Sequence, residues 1–360
     1  MRKKQLISAI FFVLSAFFAQ AVEVGPKEEE KTGDLKSEIK AYIRHHLEDT
    51  HDFSIGSYTT DAGKKKYIGF SLPVILWDDE LVSFSSGKLK HGKSVHKVGS
   101  KYYKLYHGKI YRTDSEGTIT YGADKKVTND KPLDLSMTKS VVTMLFTAAL
   151  MFFLFRSLAN SYKTNGSIAA GVGRFFEPIV IYIRDDIAIP NIGKKHYRKY
   201  MSYLLTIFFF VWFLNILGLS PLGINVTGNI AVTFGLALLT FLITNLTANK
   251  NYWAHIFWMP GVPVLMKIVL APIELLGLVI KPFSLLIRLY ANIQAGHIVL
   301  MSLIGLMFIF NNWLGSSLSF VLAFAISIIE VLVALLQAYI FTMLSALYFG
   351  FAVEEHEEAH

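Results

Sequence analysis

Runs of about twenty apolar residues, separated by short polar and basic stretches, fill the chain from Met137 almost to its end. A helix of that length crosses a hydrocarbon core about 30 Å thick. The first run lies within MTKSVVTMLFTAALMFFLFRSLA, which starts at Met137, and ends at Arg156. A second covers about 200–219, is rich in phenylalanine and closes on Gly218-Leu219-Ser220-Pro221. A third covers about 229–248 and ends near Asn249-Lys250. Two longer tracts follow, about 263–310 and about 318–351, and the chain finishes on the acidic tail EEHEEAH. The pattern predicts an all-α polytopic membrane protein over 136–352, with 353–360 as its tail.

The tract from about 263 to 310 admits two readings. At 1.5 Å per residue it is roughly 70 Å long, more than twice the hydrocarbon thickness. One reading breaks it into two spans at Lys281-Pro282 and leaves Arg288 near an interface. The other keeps one long, steeply tilted helix that forms a hairpin with the last tract, itself about 50 Å long. The two differ by one crossing, so they put the C-terminus on opposite sides.

Residues 22–135 follow a different pattern. Short alternating runs (YIGFSLPVILW, SVHKVG, YYKLYHGKIYRT, TITYG) are divided by Gly, Asp and Ser clusters, which predicts a small β-containing region. It opens with a Lys/Glu stretch and a short helix containing His45, His46 and His51. Three histidines so close suggest a metal, but with no paired-ligand pattern they read as scattered surface residues. Ahead of them, residues 1–21 have a basic start (Arg2, Lys3, Lys4), an apolar middle and Ala19-Gln20-Ala21, the form of a secretory signal peptide cleaved after Ala21. The region after it is then extracytoplasmic. The basic segment 159–199, with Arg174, Arg184, Lys194, Lys195, Arg198 and Lys199, falls inside, as the positive-inside rule requires. Part of it, GRFFEPIVIYIRDDIAIP, is amphipathic enough to lie along the inner interface.

The net charge of +8 therefore reads as inside loops plus a basic exported region, with no nucleic-acid surface. The chain has no cysteine, which excludes disulfides, thiolate catalysis and cysteine metal sites. No GxxxxGK[ST] loop is present for nucleotide phosphates.

The candidate chemistry lies inside the two long tracts: Glu274, Lys281, Arg288, Asn292, Gln294, His297, Glu330 and Gln337. Arginine stays charged wherever it is buried, so Arg288 is costly at bilayer depth and is by default a functional residue. Asn292 lies four residues on, on the same helical face. Glu274 precedes Arg288 by about 21 Å along the axis and is about 40° off its face; His297 lies about 13.5 Å beyond it on the opposite face. On the last tract, Glu330 and Gln337 share a face about 10.5 Å apart. If Gln337 is level with Arg288 in an antiparallel hairpin, Glu330 falls within about 3 Å of the level of His297. A histidine and a carboxylate at one depth can exchange a proton or hold a water between them. Asn292 and Gln337 alone would read as helix–helix glue, and Phe208 to Phe210 and Trp212 as lipid-facing or packing residues.

At these residues the chain resembles the a subunit of the rotary ATP synthase Fo sector. RLYANIQAGH (288–297) is similar to that family's RLFGNMxAGE/H, LLQAYIFTMLSALYFGFAVEEH (335–356) to its C-terminal LLQAFIFxxLxxxYLxxAxEEH, and FVWFLNILGLSP (210–221) to its FxxNLxGLxP element. The resemblance covers about 137–356. It implies five crossings, long tilted helices around Arg288 and a cytoplasmic C-terminus in a bacterial inner membrane. It further implies that Arg288 faces a carboxyl of the rotating c-subunit ring, with Asn292 and Gln337 in support. Glu274 would line the cytoplasmic half-channel, and His297 with Glu330 the periplasmic one. Partners would be the c ring, the b-subunit peripheral stalk and the rest of the synthase, with no cofactor or metal. This chain departs from the family in having His first and Glu second, and Ala291 where many members have Gly. A proton-coupled secondary transporter is the alternative, though the inverted repeats usual in that class are not visible.

Overall fold

The computed structural model describes residues 39, 43, 48–59, 65–122, 124, 126–166, 171, 173–220, 224–259, 263–310 and 312–354. The signal-peptide segment, His45, His46 and the last six residues of the tail lie outside them. The chain divides into two compact units. One holds the residues up to Leu145 together with Leu217–Val226 and Ile304–Ser316; the other holds Phe146–Ile216, Thr227–Leu303 and the remainder from Ser317.

The first unit contains eight strands among the described residues: β1 (Asp52–Thr59), β2 (Lys65–Ser71), β3 (Pro73–Asp78), β4 (Glu80–Ser85), β5 (His96–Val98), β6 (Lys101–Tyr106), β7 (Lys109–Thr113) and β8 (Leu133–Asp134). They pair antiparallel as β1-β2, β4-β3-β8 and β5-β6-β7. Alternation decides which side is covered: Val74 and Leu76 of β3 are buried while Pro73 and Trp77 are exposed. With Val82, Phe84, Leu89, Tyr103 and Ile110 they form the core of this unit. His107 and Gly108, both at positive φ, make the two-residue turn between β6 and β7.

Three expectations change here. YIGFSLPVILW divides at Leu72 into two strands. TITYG forms only a single bridge, Tyr121 to Val127, and no strand. His51 is not helical: it sits at the bend before β1, with Nε2 2.8 Å from Asp134 Oδ2.

The longer helices that follow are α1 (Lys139–Asn165), α2 (Gly173–Tyr182), α3 (Tyr197–Leu219), α4 (Ile230–Leu246), α5 (Lys250–Phe257), α6 (Val264–Ile309) and α7 (Trp313–Val353). After α2 the chain stays helical through a widened segment, Ile183–Ala188, and one more turn, Ile189–Ile192. α1, α3 and α7 are long and apolar enough to cross a membrane, and α4 with α5, bent by 101°, makes a fourth if the pair is one span. The chain is thus an α-helical membrane protein with a β-containing region ahead of its helices.

The long tract is one 46-residue helix, α6, which runs unbroken through Pro272 and Pro282. The two-span reading with a break at Lys281-Pro282 is not what forms. Proline removes one N–H and crowds the preceding turn, a defect that helices in membranes tolerate. α7 adds 41 residues, so the pair is about 69 Å and 61 Å long.

In the second unit, α3 is central. Tyr200, Leu204, Ile207, Phe208, Phe209, Val211 and Leu214 are buried on it, and Phe209 meets Phe155 and Phe176 edge to face. The phenylalanine run is therefore packing. Ile183, Ile187 and Ile192 are buried in the same core. α7 buries small residues, including Ala334, Ala338, Thr342, Ser345 and Ala346, which let other backbone come close. At Gly350 a side chain would collide with the carbonyl of Asn191. The last carbonyls of α7 are capped from the α4–α5 bend, where the Asn249 N–H donates to Ala352 O at 2.8 Å and its Nδ2 to Val353 O at 3.1 Å.

Candidate functional site

The candidate residues Glu274, Lys281, Arg288, Asn292 and His297 of α6 fall in three places along its axis. Near its start, Glu274 and Lys281 line a cavity of about 250 Å³ with Asn251, Tyr252 and His255 of α5 and with Phe351 and Glu354 at the end of α7. Glu274 and Lys281 are seven residues apart, about 10.5 Å, nearly on one face. The Lys281 ammonium lies 5.8 Å from the Tyr348 ring and 5.5 Å from Phe351. Aromatic faces attract a cation, so the two rings help seat the ammonium at the cavity.

Arg288 stands about two turns further along. It is exposed, as is Asn292 one turn later, so the shared face expected from their spacing is an outward one. Among the described residues no carboxylate pairs with Arg288. Its neighbours Leu285, Leu286, Leu289 and Ile293 turn inward and are buried. Its guanidinium thus projects from an otherwise apolar stretch of the helix with no counter-charge among the described residues.

Beyond it, His297 (4% exposed) and Glu330 (8%) are buried. Glu330 rests against Gly296, where a side chain would collide with Oε1, and its Oε2 has no hydrogen-bond partner among the described residues. The register assumed from sequence put Glu330 level with residue 295; the observed contact is one residue away. The pair does share a depth. It is not an ion pair, because the His297 ring is outside ion-pairing reach of the carboxylate among the described residues. The same pairing brings Gln337 level with Leu289, beside Arg288, but Gln337 is buried on α7 while Arg288 faces out.

Two groups of functional interest escaped the sequence reading. Asn251, Tyr252 and His255 reach the Glu274 cavity from a short helix; the polar beginning of KNYWAHIF, after an apolar run, was the available signal. Asn215 of α3, buried, donates to Ala334 O at 3.2 Å and accepts from Thr227 Oγ1 at 2.8 Å, fixing α7 between Glu330 and Gln337. It lies inside the FVWFLNILGLSP element but carries no charge to draw notice.

Fold and site together define a polytopic membrane protein with polar groups at three depths of one helix pair. The family model described as ATP synthase A chain matches residues 141–350. Relatives named ATP synthase subunit a include one from Chloroherpeton thalassium, 44% identical over 237 residues (63% of this chain, 70% of that protein). One from Myxococcus xanthus is 41% identical over 239 residues, 64% of this chain and 78% of that protein. The chain belongs to the ATP synthase A chain family. Residues 42–135 match a separate model, described as a domain of unknown function.

Proposed function

We propose that this chain is the stator subunit of the membrane sector of an F-type ATP synthase, forming two proton half-channels against a rotating ring of c subunits. Nucleotide chemistry belongs to other subunits; this one couples proton movement to rotation. The observation that carries the reading is Arg288, outward-facing and without a carboxylate partner among the described residues, between an open polar cavity and a buried His297–Glu330 level. A ring carboxylate passing Arg288 would find a counter-charge that cannot be discharged. The arginine thus blocks passage of a protonated carboxyl straight between the two paths. Glu274 belongs to one path and His297 with Glu330 to the other; Asn292 and Gln337 flank the gate.

The reading has α6 as a fifth crossing, tilted because about 69 Å of helix exceeds the bilayer core. Parity supports this. The residues up to Leu145, the α3–α4 loop and the α6–α7 turn fall in one compact unit, as expected if an even number of crossings separates them. The C-terminus is then on the other, cytoplasmic side of the inner membrane, and the β-containing region is periplasmic. The secondary-transporter alternative has no support from the family match.

Replacing Arg288 with Ala in native membranes tests the reading. ATP-driven proton pumping should be lost while the chain still co-purifies with a c ring and the b-subunit stalk. Normal pumping, or purification without a ring, overturns it.

A further inference from the structure

The β-containing region is stitched to the first span without slack. Asp49 Oδ1 accepts the Ser140 N–H at 3.0 Å, capping the start of α1, and Thr50 O accepts the Lys139 N–H at 3.0 Å. From the other side, Leu135 N–H donates to Ile75 O at 2.9 Å and Met137 N–H to Pro73 O at 3.2 Å. Ile75 N–H donates to Ser136 Oγ at 3.0 Å. His51, 3% exposed, bonds Asp134 at 2.8 Å. The chain between β8 and α1 is thus held at almost every residue, so the region is grafted onto the span and not tethered to it.

The same unit reaches the α6–α7 turn. A methyl built on Gly305 would lie 2.6 Å from Ile39 Cγ2 and 3.7 Å from Cγ1. Only the missing side chain of Gly305 gives Ile39 that seat. The turn is itself tied: Ser316 Oγ donates to Met307 O at 3.0 Å and Phe310 O at 2.7 Å, and Gly315 packs closely on Phe310.

We propose that the region ahead of the first span is a brace that locks the entry of α1 to the α6–α7 turn. It would hold the hairpin bearing Arg288, His297 and Glu330 still while the ring drags past it. The proposal rests on the stator reading for what the hairpin does, but not for the contact itself.

The chain has no cysteine, which gives a clean background. The Ile39 Cβ lies about 4 Å from a Cβ on Gly305, within the usual disulfide range. In membranes holding the whole synthase, Ile39→Cys with Gly305→Cys should form an intrachain disulfide on oxidation, read as loss of maleimide labelling; neither single variant should. Pumping before and after oxidation should agree within about twofold, because joining groups that do not separate constrains nothing. No disulfide, or a disulfide that stops pumping, overturns the brace; the second result would mean the two parts must move apart. Should the double variant fail to assemble, Ile39→Ala decides. Amide exchange of 304–316 should quicken while that of 264–300 stays unchanged, and an unchanged turn contradicts the proposal. A formed disulfide alongside normal pumping in Arg288→Ala would sink the stator reading and leave the brace standing.

Discussion

The two polar places that flank Arg288 on α6 are built in opposite ways. At the Glu274 end, acid, amine, imidazole and amide groups from three helices surround an open cavity of about 250 Å³. At the other end, His297 and Glu330 are packed away from solvent, and Gly296 supplies the space for the carboxyl. On the proposed reading, one end shares its work among several groups, most of them half-buried, so no single member is indispensable. The other depends on one carboxyl in one position. The difference teaches that polar residues on a single helix can be housed by unlike physics, many neighbours around open space on one side and a fixed seat on the other.

That contrast can be broken by substitution. Arg288→Lys should lower ATP-driven pumping more than about 100-fold, since lysine can lose its proton on burial where arginine cannot and breaking a buried pair costs roughly 3–5 kcal/mol. Proton uptake by vesicles at matched amounts of assembled enzyme is the measurement. Glu330→Gln should reduce pumping about tenfold or more with assembly intact, because the amide keeps the shape of the carboxyl but cannot carry a proton. Loss of assembly would instead make Glu330 structural. Glu274→Gln should cost about threefold or less, because His255 and Glu354 share its cavity. An effect as large as that of Glu330→Gln would remove the asymmetry.

The smallest effect lies outside the helices. Burial pushes the Asp134 carboxyl up, but hydrogen bonds from His51 and Ser136 outweigh it and hold it at about 2, against 3.8 when unperturbed. The depressed value means this stabilisation is complete above about pH 4 and is lost as pH falls towards 2. Asp134→Asn should therefore destabilise the junction by about 1 kcal/mol at neutral pH, after discounting for its partial exposure. Amide exchange of residues 133–140 should show the gap between the two proteins closing below about pH 4.

Much of the site was legible because helical spacing is rigid. Four residues put Asn292 on the face of Arg288 and nine turned His297 away, and the exposed and buried classes agree. Equating the levels of Gln337 and Arg288 placed Glu330 within one residue of its contact. What spacing could not reach was anything fixed across the chain. The gap between His297 and Glu330 depends on side-chain direction, and the α5 lining of the Glu274 cavity on a 101° bend. The Asn215 bond to Ala334 joins residues 119 positions apart. In the first unit, β1 and β4 escaped notice because DFSIGSYT and ELVSFS are rich in Ser and Gly and carry few β-branched residues.

The central claim is that one fixed charge keeps two unlike polar paths from becoming one. The direct measurement is passive proton conductance, in vesicles stripped of the nucleotide-binding sector, of Arg288→Ala against the unaltered protein. The account predicts that conductance rises when the guanidinium is removed, because a protonated ring carboxyl can then pass between the Glu274 cavity and the His297–Glu330 level. Conductance that stays the same, with the ring shown to be present, would contradict it.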